Sequence, residues 1–393
     1  MPKKKNKDDF PRGEDSKKFE LGQYFTKKSV VEEIVDLVSE YLDYDKDIDI
    51  LEPSFGTGNF IEVLKDRGFK NIDGCEIDKS LFNESLDLGY YEKDFFELPM
   101  EKKYDLIIGN PPFSKYNLEK SYYKPQDYIS SSINPSIYLN QEVLGKDKIK
   151  IENAFILKSI KHLKDKDSSI GFVLPISFFI KDKNKKVKNK IKNNFSTIII
   201  YQNSSSWFDY DIPCCFVILS NLSCFKEEIV LLFEDDEKKR EVINLERMHE
   251  EIIPKTHIFK KEFNEEGTKL KEYLKEESIN YEKSYEDNTI SASNILEYDS
   301  IPSNEKVEDY KLAVCRVGNA SVGRAGLVNI EEEILNDMFY VFSFKKKYAN
   351  NKKLKERVCE QINKNQDYFK NVTIRVGSKS IKKKDIFDFK IVE

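Results

Sequence analysis

YDLIIGNPPF, residues 104–113, joins an apolar run to an unusually stiff turn. Leu106, Ile107 and Ile108 form the kind of short apolar run that makes a buried strand. Gly109 and Asn110 then lead into Pro111 and Pro112, which lack a donor N–H and fix their own φ. The residue before each proline is pushed out of the helical region as well. A strand ending this way, with Phe113 straight after, holds an amide, a backbone carbonyl and an aromatic ring in one fixed place. In an open α/β sheet that place is the carboxyl edge, where ligands bind.

On either side of this strand, helical and extended patterns alternate from about 28 to 222. Residues 29–42 (SVVEEIVDLVSEYL) have helical periodicity, with Ser29 as the expected N-cap. A strand (IDILEP), a glycine turn and a helix (NFIEVLKDRG) stopped by Gly68 follow. NIDGCEID reads as strand and turn, IENAFILKSIKHL (151–163) as a helix, SSIGFVLP as a strand, and Ser177 opens another helix. FSTIIIY (195–201) and CCFVILS (214–220) read as strands able to pair as a hairpin. The alternation predicts an α/β fold: a doubly wound, mostly parallel sheet covered on both faces, with an antiparallel strand near its end. The polar stretch 114–150 reads as a long functional loop, and the lysine run 181–192 as the solvated face of a helix. Beyond about 225 the alternation stops. The expected division is a disordered basic tail (1–20), a catalytic domain (21–225) and a smaller α+β domain (226–393).

The chain has 393 residues, 39% hydrophobic and 34% charged, enough for two domains with real cores and a solvated surface. Its longest apolar run, IGFVLPISFFI (170–180), is too short to span a bilayer and contains a proline. MPKKKNKDDF has no apolar segment after its lysines, so no secretory signal is expected. Cys75, Cys214, Cys215, Cys224, Cys315 and Cys359 include no C-x-x-C pair, and there are three histidines, so no metal site is expected. The cysteines read as reduced residues of a cytoplasmic protein. The net charge of −5 is uneven. Residues 227–310 hold 24 Asp/Glu and 12 Lys/Arg, whereas residues 311–393 hold 18 Lys/Arg and 10 Asp/Glu. A basic end can meet a polyanion, although a lysine-rich solvated surface would have the same composition.

Three constellations carry chemistry. In LEPSFGTGNF (51–60), Gly56 and Gly58 let the backbone turn beside a ligand where a helix begins. Glu76 lies 20 residues after Gly56, an offset at which an acid can accept hydrogen bonds from ribose hydroxyls. The third glycine of a dinucleotide fingerprint is missing, which suits a nucleoside without a pyrophosphate. In KDFF (93–96), Asp94 can accept from an exocyclic amine and Phe95 can wall a base, while a helix cap beside core aromatics is the plainer reading. In NPPF, the Asn110 side-chain oxygen and the Pro111 carbonyl can accept both hydrogens of one NH₂ group, with Phe113 stacked on the ring that bears it. Two fixed acceptors draw those hydrogens toward a tetrahedral arrangement and free the nitrogen lone pair without a charged base.

In their order, these segments resemble the gamma-ordered N6-adenine DNA methyltransferases that use S-adenosylmethionine. GQYFTKKSVVEEIVDLV resembles their N-terminal cofactor segment; LEPSFGTGNF, CEID, KDFF and IIGNPPF the successive motifs; IENAFILKSIKHLK, IGFVLPISFF and WFDYDIPCCFVIL the later ones. The resemblance covers about residues 20–222. It implies a Rossmann-like methyltransferase domain whose cofactor residues are Phe25, Thr26, Glu52, Pro53, Gly56, Gly58, Asn59, Glu76, Ile77, Asp94 and Phe95. It implies that Asn110, Pro111, Pro112 and Phe113 form the catalytic tetrapeptide, and that Phe208 is the aromatic packing on an extruded base. It also implies a C-terminal target-recognition domain on double-stranded DNA. Within that domain Arg316 and Arg324 flank a glycine-rich turn and could read a base or hold a phosphate. A monomer without a fused nuclease is expected. NPPF fixes only a planar NH₂ acceptor, so an RNA or protein-glutamine methyltransferase, or a catalytically silent DNA-binding protein, stays open.

Overall fold

The computed structural model describes residues 23–81, 89–91, 94–113, 150–180, 184–209, 212–221, 227–263, 266–278, 289–373 and 380–392. The expected tail, nearly all of the 114–150 loop and Cys224 fall outside them. The chain divides into two compact units, Met1–Pro254 and Lys255–Glu393.

In the first unit, β1 (Asp49–Glu52), β2 (Asn71–Cys75), β3 (Gly89–Tyr91), β4 (Leu106–Gly109), β5 (Ser169–Pro175), β6 (Thr197–Asn203), β7 (Cys214–Ser220), β8 (Glu228–Glu234) and β9 (Lys238–Asn244) form one sheet. Its order is β3-β2-β1-β4-β5-β7-β6-β8-β9. The first five strands are parallel; β7 runs antiparallel to both β5 and β6, the expected hairpin. The helices are α1 (Lys28–Tyr41), α2 (Asn59–Asp66), α3 (Ile151–His162), α4 (Ser177–Ile180) and α5 (Lys185–Asn194). Helices α1 and α2 share a core with Ile50, Leu106 and Ile108. Leu51 and Ile107 point the other way by strand alternation and are equally buried, so both sheet faces are covered. This is a Rossmann-like, doubly wound architecture. The order reverses between β1 and β4, and a crevice at such a switch point is where open α/β sheets bind ligands.

Two local expectations change. Ser29 lies inside α1, which starts after Lys27 without a side-chain cap. Gly68 does stop its helix, at φ +88°. The boundary expected near 225 moves to 254/255, because β8 pairs in parallel with β6 over seven residues and β9 closes the edge. Residues 255–393 therefore hold 26 Lys/Arg and 24 Asp/Glu, a net of +2. Much of the acidic stretch belongs to the first unit.

The second unit contains α6 (Pro254–Phe263), β10 (Thr268–Lys269), β11 (Leu274–Glu276), β12 (Thr289–Ile290), β13 (Tyr310–Cys315), β14 (Ala325–Asn329), β15 (Ile334–Leu335) and β16 (Phe339–Phe344). Helices α7 (Lys352–Lys364), α8 (Gln366–Val372) and α9 (Lys383–Asp388) and strand β17 (Lys390–Ile391) complete it. An antiparallel sheet β11-β16-β13-β14 has an apolar core on each face, the smaller α+β unit that was expected.

Ile229, Val230, Leu231, Leu232 and Phe233 of β8 are each at most 1% exposed. Burying five such side chains contributes on the order of 10 kcal/mol. A fragment ending at 225 should therefore aggregate, whereas one ending at 254 should be soluble and cooperatively folded. Size-exclusion chromatography and thermal melts of the two check this.

Candidate active site

The carboxyl ends of β1, β2 and β4 open into one cleft. It encloses about 770 Å³ of atom-free space, part of it open solvent. Its walls bring together Phe25, Thr26, Glu52, Pro53, Gly56, Asn59, Glu76, Ile77, Asp94, Phe95, Asn110, Pro111 and Pro112. These residues are scattered over almost ninety positions of sequence. Gly58 does not line the cleft; it opens α2 at φ +85°. Phe113 and Phe208 lie beside the cleft.

The glycine turn and Glu76 are built as one object. Gly56 has φ +53°, and a Cβ there would sit 2.9 Å from the Phe25 ring. Its N–H donates to Glu76 Oε2 at 2.9 Å, and the N–H groups of Ile77 and Asp78 donate to Oε1 at 2.9 and 2.8 Å. Asp94 accepts from Phe96 N at 3.0 Å as a cap, and it lines the cleft. Phe95 packs on Phe155, ring centroids 5.1 Å apart.

Glu52 is 2% exposed, and its Oε2 has no hydrogen-bond partner. Burial, with the charge of Glu76 second, holds its carboxyl well above the ordinary value; a hydrogen bond from the Ile61 backbone offsets part of this. Burial also raises Glu76, against the pull of its three N–H donors. The donors favour the carboxylate of Glu76, whereas burial pushes Glu52 toward its neutral form.

Asn110 is the centre of the site. Its Nδ2 donates to the Tyr24 carbonyl at 2.6 Å, which fixes the amide, and its buried Oδ1 has no partner. Ser54 Oγ donates to the Asn110 backbone carbonyl at 3.1 Å and braces the turn. Beside it three rings meet. Tyr24 and Phe113 stack at 6.1 Å with planes 27° apart, and Phe208 meets Phe113 edge-on at 6.1 Å. Of the two neighbouring aromatics, Phe208 faces NPPF, and Trp207 turns to Tyr201, 6.4 Å away.

Sequence reasoning missed Tyr24, Ser54 and Phe155. Tyr24 sits next to Phe25 in GQYF, but it acts through a backbone carbonyl, which carries no residue-type signal. In the second unit, Arg316 Nε donates to the Asp337 carbonyl at 2.7 Å and Arg324 Nη1 to the Ala292 carbonyl at 2.8 Å. Both arginines thus hold backbone of their own unit, and the buried Arg324 Nε has no hydrogen-bond partner. Among the described residues, no group of three or more His, Cys, Asp or Glu could hold a metal ion, and no helix is long and apolar enough to cross a membrane.

The upward shift of Glu52 gives a stability test. Its raised folded-state pKa favours the fold below the ordinary carboxyl value of 4.5, and that contribution is lost as pH rises toward the folded value. Glu52→Gln should therefore gain stability over wild type as pH rises above 4.5. Denaturant melts at a series of pH values measure the difference; an unchanged gap would mean that Glu52 is ionised in the fold.

A family model described as the Eco57I restriction-modification methylase matches residues 43–208. The Type II methyltransferase M.HincII of Haemophilus influenzae is 31% identical over 193 residues, 49% of this chain and 35% of that protein. The modification methylase CviBIII of Paramecium bursaria Chlorella virus NC1A is 30% identical over 166 residues, 40% of this chain and 39% of that protein. The chain thus spans little more than a third of the length of the curated relatives it matches. Among solved structures, the type IIG restriction endonuclease BpuSI shares the fold with a TM-score of 0.51 at 12% identity, over 96% of this chain and 60% of that one. By these sequence matches, and by the sheet and cleft that carry them, residues 43–208 of this chain are similar to the restriction-modification methylases of the Eco57I family.

Proposed function

We propose that the chain is a DNA methyltransferase that uses S-adenosylmethionine to methylate the N6 amino group of an adenine rotated out of the duplex. The observation that carries this reading is the Asn110 amide, with its nitrogen committed to Tyr24 and its oxygen buried and unpartnered. An unpaired buried acceptor costs about 1–3 kcal/mol, and a ligand N–H would satisfy it. The match to the Eco57I methylase model and the names of the relatives favour DNA as the bearer of that group.

The cleft fits the cofactor on three features of its own. Gly56 leaves a space that a Cβ would fill. The Thr26 Oγ1 and Glu52 Oε2 atoms are buried without partners. Glu76 Oε2 accepts a hydrogen bond from the Gly56 N–H and has a second acceptor position for a ribose hydroxyl. When bound, S-adenosylmethionine supplies a methyl group on a positively charged sulfur. Phe25, Thr26, Pro53, Asn59 and Ile77 would wall it, and Asp94 with Phe95 would take its base.

The chemistry left to the chain is positioning. Asn110 Oδ1 and the Pro111 carbonyl accept the two N–H groups of the target amine and draw them out of the ring plane. The nitrogen lone pair then becomes available for attack, and the extra proton leaves to solvent after transfer. Pro111 and Pro112 keep these acceptors fixed, so little reorganisation is needed at the moment of reaction. Extruding the base costs a few kcal/mol, and stacking on Phe113, with Phe208 at its edge, offsets that. The second unit, with Arg316 and Arg324 at its glycine-rich turn, is the candidate for target recognition.

Incubation with labelled cofactor and separate DNA, RNA and protein acceptors tests the substrate class; label in RNA or protein alone would refute the proposal. Asn110→Ala should lower turnover by at least about 100-fold, as expected for loss of a fixed acceptor, while cofactor affinity by calorimetry stays near wild type. Glu76→Ala should instead weaken cofactor binding by roughly 1.5–3 kcal/mol. An unchanged affinity would move the ribose contact elsewhere.

A further inference from the structure

Phe208 lies in the connection from β6 to β7, and strand pairing alone does not fix a ring there. The side chain that gathers this connection is Asn203, the last residue of β6. Its Oδ1 accepts from the Trp207 indole N–H and, at 3.2 Å, from the Ser205 N–H. Its Nδ2 donates to Glu33 Oε2 on α1 at 2.6 Å. The same Glu33 oxygen lies 3.1 Å from the Tyr201 hydroxyl, which is equally close to Glu234 Oε2 on β8. Beyond Trp207 the connection is tied twice more. Ser206 Oγ donates to the Phe208 carbonyl at 2.8 Å, and the Trp207 carbonyl accepts from Lys27 N at 3.0 Å.

Asn203 does not line the cleft, so whatever it does there passes through other residues. Both ends of its amide are used, each in the direction its chemistry allows: oxygen toward two N–H donors, nitrogen toward a carboxylate. Trp207 is 5% exposed, so removing its acceptor would leave a buried indole N–H unpaired, and the connection would have to rearrange to satisfy it. Rearrangement would move Phe208, the next residue, away from Phe113 and Tyr24.

We propose that Asn203 is a positioning residue of the base pocket: it locks the Trp207–Phe208 segment onto α1 so that Phe208 meets Phe113. The inference rests on the base-stacking reading of Phe208 given above.

Trp207 is the only tryptophan of the chain, so its fluorescence reports on this segment directly. The full chain is compared with Asn203→Ala, with Phe208→Ala, and with Asn203→Asp combined with Glu33→Gln. That double exchange keeps the acceptors for Trp207 and Ser205 and reverses the donor and acceptor toward α1. In Asn203→Ala, Trp207 emission should shift to the red, and turnover at saturating DNA should fall by about 10- to 100-fold, the size of effect that misplacement of a positioned group produces. Cofactor affinity should not change. The double exchange should restore both emission and turnover. Wild-type turnover in Asn203→Ala beside an impaired Phe208→Ala would overturn the positioning role alone. An unimpaired Phe208→Ala would overturn the base-pocket reading and this inference with it. A loss that the double exchange fails to restore, or that takes cofactor binding with it, would mark general damage and likewise overturn the proposal.

Discussion

The hydrogen bond from Asn110 Nδ2 to the Tyr24 carbonyl, 2.6 Å long, is the constraint around which the site is arranged. An asparagine amide free to turn would offer a ligand either end. Held by its nitrogen, it can offer only the oxygen. That oxygen is buried without a partner, which costs about 1–3 kcal/mol, so other contacts must keep the amide from relaxing. They do so through the segment 23–27. Gln23 donates to Asp78, Phe25 packs over Gly56, the Thr26 carbonyl accepts from Asn59, and Lys27 N–H donates to the Trp207 carbonyl. One short extended segment thus joins the ends of β1, β2 and β4 to the connection that bears Phe208.

The two buried acids divide the electrostatic work. Three N–H donors pin Glu76 to the glycine turn, so this acid shapes the backbone as well as facing the cleft. Glu52, almost fully buried and close to Gly109, is pushed toward its neutral form by burial. Two charges placed this close in a poorly solvated cleft would repel each other, and keeping one neutral removes that conflict.

What could be read from the sequence was local. The strand at 106–108, the glycine turn, the stop at Gly68 and the β6–β7 hairpin all announce themselves within a few residues, by apolar runs or by glycine. The fate of EIVLLFE (228–234) does not. Its apolar run is visible, but it stands among charged residues, and its partner β6 lies some thirty positions earlier, so the sequence pattern alone puts the domain end near 225. The cleft residues were legible because their motifs are compact. The ring of Phe208 could be named, but its edge-on meeting with Phe113 depends on Asn203 and Glu33, 170 residues apart in sequence. Arg316 and Arg324 show the limit in the other direction. A cationic side chain beside a glycine turn gives no sign in the sequence of the backbone carbonyl it holds within its own unit.

The central claim is that the Asn110 oxygen and the Pro111 carbonyl activate the exocyclic amine of adenine. Its most direct test is mass spectrometry of nucleosides from duplex DNA incubated with the full chain and S-adenosylmethionine carrying an isotopically labelled methyl group. The account predicts the label in N6-methyladenine. Label on a ring carbon of cytosine, which has no N–H for these acceptors to draw out of plane, would contradict it.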